Sequence, residues 1–222
     1  MTQRQATVGR TQARPARRVS ARPRERVAQQ RRRRKGALIA LALVLLGALT
    51  LPSLLQHAVK EIALPLRHED IIRQQARRKG LDPALVAAVI YAETKFVPRT
   101  SPAGARGLMQ ILPSTATFLA RRSGGTAFVA GDLATPQVNI AYGTYYLRYL
   151  LRRYGGREVP AVAAYNGGET NVDRWIARSG GGASSLQVAG IPFSETRAYV
   201  QKVLTAQRDY RRSYARELGI RR

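Results

Sequence analysis

Apolar residues recur at helical intervals through most of the chain beyond residue 68. Val86, Val89 and Ile90 precede Glu93 by seven, four and three residues, and these spacings place side chains on one face of a helix. An Asp-Pro pair at 82–83 supplies an N-cap and a first helical residue, so we predict a helix from there to about Glu93. The Glu93 carboxyl group therefore belongs to the face that packs on the core, where desolvation raises the pKa of an acid.

Similar patterns predict further helices, each with its own start or stop signal. They cover residues 68–79 before Gly80, 113–123 before Gly124, 136–154 after Thr135 as N-cap and before Gly155, 159–164, 171–175, and 194–210 with Ser194 as cap. The interval 97–107 contains two prolines and two glycines, which indicates an irregular, tightly turned loop. We find no alternating strand pattern of useful length, so the predicted fold class is mostly α.

The first 67 residues form three segments of different composition. Residues 1–35 contain 13 Arg and Lys against one acid and show no apolar periodicity, which predicts a disordered basic tail. Residues 36–55 contain no charge over twenty positions, enough for a helix to cross a hydrocarbon core of about 30 Å. We expect a single transmembrane helix over 36–57, a connector over 58–67 and one folded domain over 68–222.

The basic block before the apolar span predicts the topology. The tail should stay in the cytoplasm, which places the domain outside the cytoplasmic membrane. A cleaved signal peptide is the alternative interpretation, but its leader would be shorter and no small-x-small cleavage site follows the apolar run. The tail could also contact nucleic acid or anionic lipid. Its position beside the apolar span favours a role in topology, and no specific nucleic-acid partner is expected.

The residue types also bear on cofactors and disulfides. The chain has no cysteine, so a disulfide framework is excluded. Its two histidines, His57 and His68, lie eleven residues apart and away from any carboxylate cluster. We therefore expect no metal and no other cofactor.

Four short segments, in this order, carry the candidate chemistry. They are Glu93-Thr94, Gly107-Leu108-Met109-Gln110, Ala164-Tyr165-Asn166-Gly167-Gly168, and the stretch PFSETRAYV at 192–200. Together they resemble the soluble-lytic-transglycosylase family, the goose-lysozyme-like enzymes with an SLT domain that cleave peptidoglycan. The resemblance covers roughly residues 69–210. It implies a lysozyme-like helical fold and cleavage of the MurNAc-GlcNAc β-1,4 bond with formation of a 1,6-anhydro-muramyl end.

The resemblance also implies roles for individual residues. It makes Glu93 the sole catalytic acid and base, acting with the N-acetyl group of the substrate and then on its C6 hydroxyl. Thr94 stands where the family usually has serine, and it keeps the hydroxyl while adding a methyl group. The residues expected to bind or line the substrate are Thr94, Gln110, Tyr165, Asn166, Glu195 and Tyr199. Peptidoglycan glycan strands are the partner that the resemblance implies. The apolar span adds the cytoplasmic membrane as an expected partner, and the basic charge adds anionic lipid or wall polymer.

Structural roles compete with these assignments. Glu93 could instead pair with Arg99 or Arg106 at the surface. Core packing explains Met109 better than a role in the site. For Trp175 and Tyr199 we also prefer core packing to contact with a sugar.

Two other functions also remain open. Hydrolytic glycosidases generally use two carboxylates, and neither Asp132 nor Asp173 lies beside the motifs. A hydrolytic muramidase of goose-lysozyme type is nevertheless one alternative, and an inactive glycan-binding scaffold is another.

Overall fold

A computed structural model describes residues 62–124 and 129–221. The predicted tail and membrane anchor, and the connector up to residue 61, lie outside these ranges. None of the helices inside them has the length and apolar character that crossing a membrane requires.

The architecture of the described residues is helical, as predicted. Seven α-helices follow one another: α1 Glu69–Lys79, α2 Pro83–Thr94, α3 Pro113–Ser123, α4 Pro136–Arg153, α5 Glu158–Gly167, α6 Glu169–Ser179 and α7 Ser194–Ser213. Two 3₁₀ turns, Ala130–Ala134 and Val188–Gly190, lie between them. Strands β1 (Arg99–Thr100) and β2 (Arg106–Gly107) form a two-residue antiparallel ladder within the loop that the sequence predicted to be irregular.

Several helix starts and ends differ from the predicted ones, and α6 ends at Ser179 rather than at about residue 175. Helix α5 continues past residue 164 to Gly167, and α6 begins at Glu169, because Gly168 turns the chain with a φ of 82° between the two helices. The N-cap of α7 is Phe193 rather than Ser194, and it makes no side-chain cap. Its ring lies edge-on against Trp175 at 5.1 Å, so ring packing fixes the entry into the helix.

Helix α2 is the centre of the core. The residues from Ala84 to Ile90 are all at most 1% exposed, so this helix is buried on every side. The sequence analysis predicted burial of one face only, and in this respect it is wrong. Asp82 caps it by accepting a hydrogen bond from the amide of Ala84 at 3.0 Å. Its most extensive packing is against α7, with α1 on another side. Glu93, in the last turn, is the acid at the point where α2 leaves the core.

Candidate active site

Glu93 is half-buried, and one of its carboxyl oxygens is held by a phenol. The Tyr199 hydroxyl on α7 donates a hydrogen bond to Glu93 Oε1 at 2.7 Å. Burial raises the pKa of Glu93 to about 7, although this hydrogen bond and the positive charges of Lys202 and Arg99 act to lower it. A carboxyl group with this pKa can both give and take a proton near neutral pH.

The two cations near Glu93 bind the backbone of α2 and form no ion pair with the carboxylate. Lys202 Nζ donates to the carbonyl of Ala92 at 2.8 Å, and Arg99 Nη2 donates to the carbonyl of Glu93 itself at 2.6 Å. Both positive charges lie at the C-terminal end of α2, where they interact favourably with the negative end of the helix dipole. Arg106 Nη1 instead donates to the carbonyl of Ala130 at 3.2 Å. The competing expectation, a surface ion pair of Glu93 with Arg99 or Arg106, is therefore wrong.

Two tyrosines from different helices enclose the acid. Tyr199 is 9% exposed, so it packs in the core as expected and also contacts Glu93. Tyr165, on α5, donates its hydroxyl to the carbonyl of Met109 at 2.8 Å. Burial and the negative charge of Glu93 raise the pKa of both phenols well above its ordinary value. Both therefore remain protonated donors at neutral pH.

Asn139 on α4 fixes the turn at 107–110, and sequence reasoning missed it. Its side chain is fully buried and makes three hydrogen bonds. Nδ2 donates to the carbonyls of Arg106 at 2.8 Å and Leu133 at 3.0 Å, and Oδ1 accepts from the amide of Met109 at 2.8 Å. The available signal was an amide inside an apolar helix pattern, a placement that requires buried hydrogen-bond partners.

Two glycines allow this turn to lie against α4. A Cβ atom at Gly107 would lie 2.2 Å from Asn139 Nδ2, and the residue has a φ of +74°. A Cβ at Gly143 would lie 2.3 Å from the sulfur of Met109. Met109 is fully buried, which confirms core packing for this side chain.

Thr94 and Gln110 hold the turn from the other side. The Thr94 hydroxyl lies 2.8 Å from the carbonyl of Leu108 and 3.2 Å from that of Ile90, and the residue is 6% exposed. Gln110 Nε2 donates to the carbonyls of residues 99 and 107, both at 2.8 Å. These donor groups are occupied within the protein, so direct contact of Thr94 and Gln110 with substrate stays a prediction.

Asn166 and Glu195 line one cavity of about 470 Å³. Gly167 and residues 193–196 complete its wall. Both side chains are exposed, and neither has a hydrogen-bond partner among residues 62–124 and 129–221. An unpartnered amide and carboxylate on one concave wall can bind the hydroxyl groups of a sugar.

The other acids considered as catalytic partners are engaged elsewhere. Asp173 accepts from Arg153 at 2.6 Å and from the Tyr154 hydroxyl at 3.1 Å, and Asp132 accepts from the amide of Val129 at 3.3 Å. Trp175 is 6% exposed, in agreement with core packing. The described part of the chain contains no cluster of three His, Asp or Glu residues able to hold a metal ion.

Comparison with known proteins places this geometry in a family. The sequence model of the Transglycosylase SLT domain matches residues 70–188. The chain is 37% identical over 154 residues to the soluble lytic murein transglycosylase of Salmonella typhimurium, covering 68% of this chain and 24% of that protein. It is 31% identical over 169 residues to the membrane-bound lytic murein transglycosylase C of Edwardsiella ictaluri, covering 66% of this chain and 47% of that protein.

A solved structure agrees with these sequence matches. The lytic transglycosylase Slt of Pseudomonas aeruginosa, studied as an inactive glutamate-to-glutamine mutant, superposes with a TM-score of 0.63 at 30% identity. The match covers 73% of this chain and 26% of that one. The chain thus spans about a quarter of the length of the soluble relatives. With a family match over residues 70–188 and a shared helical fold, the chain belongs to the transglycosylase SLT-domain family.

Proposed function

We propose that this chain is a membrane-anchored lytic transglycosylase of peptidoglycan. It cleaves the β-1,4 bond between MurNAc and GlcNAc and leaves a 1,6-anhydro-muramyl end. The observation that carries the proposal is the pair of Glu93 and Tyr199, in which a carboxyl group with a pKa of about 7 is hydrogen-bonded through one oxygen. The names of the relatives, lytic murein transglycosylases, support the same activity.

In the first step Glu93 acts as an acid. Because Oε1 accepts the hydrogen bond from Tyr199, Oε2 is the oxygen available to carry the proton. This proton passes to the glycosidic oxygen while the bond from that oxygen to C1 of MurNAc breaks. The carbonyl oxygen of the substrate's N-acetyl group bonds to C1, and Glu93 is left as a carboxylate.

In the second step the same carboxylate acts as a base. It takes the proton of the C6 hydroxyl, whose oxygen bonds to C1 and displaces the acetamido oxygen. The anhydro ring closes without water, and Glu93 is protonated again for the next cycle. Between the steps, the Tyr199 hydroxyl and the charges of Lys202 and Arg99 stabilise the carboxylate.

The surroundings of Glu93 favour one carboxylate over two. Hydrolytic glycosidases place a second carboxyl group about 5–5.5 Å or 6.5–9.5 Å away, according to their stereochemistry. The charged groups that act on the pKa of Glu93 are both cations, Lys202 and Arg99. Asp132 and Asp173 are bound to other partners. A reaction in which one acid acts twice fits this arrangement better than hydrolysis.

The activity is tested by the release of soluble muropeptides from purified sacculi, with the product ends identified by mass. Glu93→Gln should fold, because the amide is nearly isosteric, and should lose about 10⁴-fold or more in rate, since both uses of one group disappear. Glu93→Asp should also be poor, because its carboxyl group is one methylene short. Wild-type products should carry anhydro ends. A folded Glu93→Gln protein with substantial activity contradicts the assignment.

Three further acids provide matched controls. Glu195→Gln should lose less than Glu93→Gln, because Glu195 lines the cavity and is given no part in the two proton transfers. Asp132→Asn and Asp173→Asn should change the rate little. Reducing ends in the products, with Asp173→Asn as inactive as Glu93→Gln, would favour a two-carboxylate hydrolase instead.

Membrane anchoring rests on the apolar span at 36–55 and on the similarity to a membrane-bound relative. With the basic tail inside, the domain faces the wall that holds its substrate. A periplasmic-type reporter fused after the last residue should be active, and a cytoplasmic reporter at the same position should be silent. The reverse pattern would overturn the topology.

A further inference from the structure

The turn after α2 contains two successive residues in the left-handed backbone conformation. Lys95 has a φ of 50° and Phe96 has a φ of 64°, although neither is a glycine. Such a conformation costs free energy, so it persists only where surrounding contacts hold it. Burial of the Phe96 ring, whose centre lies 6.2 Å from that of the Tyr210 ring, provides one such contact. The end of α2 is therefore held in place by contacts with other elements.

Each of the last four carbonyl groups of α2 accepts a hydrogen bond, and two of the donors are cationic side chains. Backbone amides of the following turn reach the first and the last of these carbonyls at 3.0 Å. The carbonyl of Ala92 accepts from Lys202 Nζ at 2.8 Å, and that of Glu93 accepts from Arg99 Nη2 at 2.6 Å. A helix end normally leaves such groups to water or to a local cap. Because Lys202 belongs to α7, its bond ties the last turn of α2 to the neighbouring helix.

Tyr91 holds the Lys202 side chain at this helix end. The Lys202 ammonium lies 5.5 Å from the centre of the Tyr91 ring, within the range of cation–π attraction. Two contacts fix this ring: its hydroxyl donates to the carbonyl of Ala63 at 3.1 Å, and the ring meets that of Tyr210 at 6.1 Å and nearly at right angles. Lys202 is an exposed residue with a flexible stem. Without the Tyr91 ring, its ammonium would be free to leave the end of α2.

The charge of Lys202 also acts on the Glu93 carboxyl group. Burial raises the pKa of Glu93 to about 7, and the Lys202 charge acts in the opposite direction. The titratable and charged groups that face this carboxyl are Tyr199 and Lys202 on α7, Tyr165 on α5 and Arg99 on β1. Lys202 thus contributes both a helix cap and a positive charge beside the acid.

We infer that Lys202 is a positioning residue for the reaction: it caps the last turn of α2 from α7, is held there by Tyr91, and keeps the Glu93 carboxyl in one place through both proton transfers. This inference rests on the proposed function. In that function one carboxyl group must serve two different oxygens in turn, the glycosidic oxygen and the C6 hydroxyl. It can do so without loss of alignment only if the end of its helix does not shift between the steps.

The first test removes the charge and the cap together. In the full-length protein, Lys202→Met keeps an apolar stem, and we expect kcat for muropeptide release to fall about tenfold with little change in KM, because the acid loses alignment rather than substrate contacts. The fall in rate above the pKa of Glu93 should also move to higher pH, by about half a unit since solvent screens an exposed cation.

Two further variants serve as rescue and control. Lys202→Arg keeps a charge and a donor, so it should recover most of the rate and the wild-type pH profile. Arg208→Met removes a cation from another exposed position of α7, one that donates to the Thr205 hydroxyl, and it should change neither kcat nor the profile. A Lys202→Met protein with the kcat and pH profile of the wild type would overturn the inference.

A double-mutant cycle tests the part played by Tyr91. Tyr91→Leu should reproduce much of the loss in kcat, because the ammonium is no longer held, whereas Tyr91→Phe keeps the ring and should lose less. In the Lys202→Met protein, Tyr91→Leu should have little further effect, because the group through which it acts is already absent. Fully additive losses would show that Tyr91 does not act through Lys202.

Titration of the Glu93 carboxyl by NMR in ¹³C-labelled protein separates this inference from the activity, since it requires no turnover. The pKa should rise by about half a unit in Lys202→Met and stay unchanged in Arg208→Met. If the wild type releases no muropeptides but the titration shows this rise, the proposed activity fails and the placement of Lys202 stands. If turnover is normal and neither kcat nor the titration responds to Lys202→Met, the inference fails and the activity stands.

Discussion

Replacing Tyr199 with phenylalanine removes a single hydroxyl group that donates to Glu93 Oε1. The ring remains to fill its place between α7 and α2, so the core should be little disturbed. The hydrogen bond favours the charged form of Glu93 and therefore lowers its pKa. Its loss should raise that pKa further.

The size of this change follows from the contact. A hydrogen bond to a charged group contributes about 1.5–3 kcal/mol, and water recovers part of this because Glu93 is half-buried. One pKa unit corresponds to about 1.4 kcal/mol. The pKa of Glu93, about 7 in the wild type, should therefore rise by about one unit in Tyr199→Phe.

The assay is the pH dependence of kcat/KM for muropeptide release. Because the first step requires protonated Glu93, the rate should fall above its pKa, and in Tyr199→Phe this fall should move about one unit to higher pH. The maximum rate should drop, since the carboxylate that acts as base is held less firmly. Tyr210→Phe is the matched control: it removes another buried α7 hydroxyl, bonded to the carbonyl of Pro65, and should leave the profile in place. A Tyr199→Phe profile that stays unmoved or moves to lower pH would refute the reasoning.

Three other measurements test the burial of Glu93, the hydrogen bonds of Asn139 and the positive charge of residues 61–222. Burial raises the pKa of Glu93 from 4.5 to about 7, so the stability that its proton contributes is fully present below pH 4.5 and is lost as the pH rises through 7. In urea unfolding at pH 8, Glu93→Gln should therefore be more stable than wild type by up to about 3 kcal/mol. At pH 4 the two proteins should have similar stability. A pH-independent difference would contradict this. Asn139→Ala leaves the buried amide of Met109 and carbonyl of Leu133 without this partner, while the carbonyl of Arg106 keeps its bond from the amide of Ile111. The free energy of unfolding should fall by roughly 3 kcal/mol, so a loss under about 1 kcal/mol would show that the turn at 107–110 is held by other contacts. Sacculus binding by Glu93→Gln should weaken as salt rises, because residues 61–222 carry 24 basic and 12 acidic side chains, and binding that ignores salt would exclude an electrostatic contribution.

Local signals allowed much of the fold to be predicted. The Asp-Pro pair before α2 and the glycine after α1 mark helix ends through interactions within one turn, so neighbouring residues suffice to find them. Asn139 was missed because its partner amide, that of Met109, lies 30 residues away and meets it only in the folded chain. The inward position of the Thr94 hydroxyl has the same cause, since its acceptor is in the next motif. The burial of α2 on all sides does have a signal in the sequence, because residues 83–92 contain no charged or amide side chain; the single apolar face was predicted from only the three positions aligned with Glu93.

The position of the acid follows from the way the core is built. Helix α2 is enclosed on every side and packs most extensively against α7, so these two helices have little freedom to move relative to each other. Glu93 lies in the last turn of α2 and Tyr199 lies on α7, so the most extensive helix contact of the core also sets the distance between carboxyl and phenol. The raised pKa of Glu93 and its hydrogen bond thus come from one packed interface, without a separate element to position the acid. A core substitution between α2 and α7 should for this reason change the pH profile as well as the stability, whereas one beneath α3 should change stability alone.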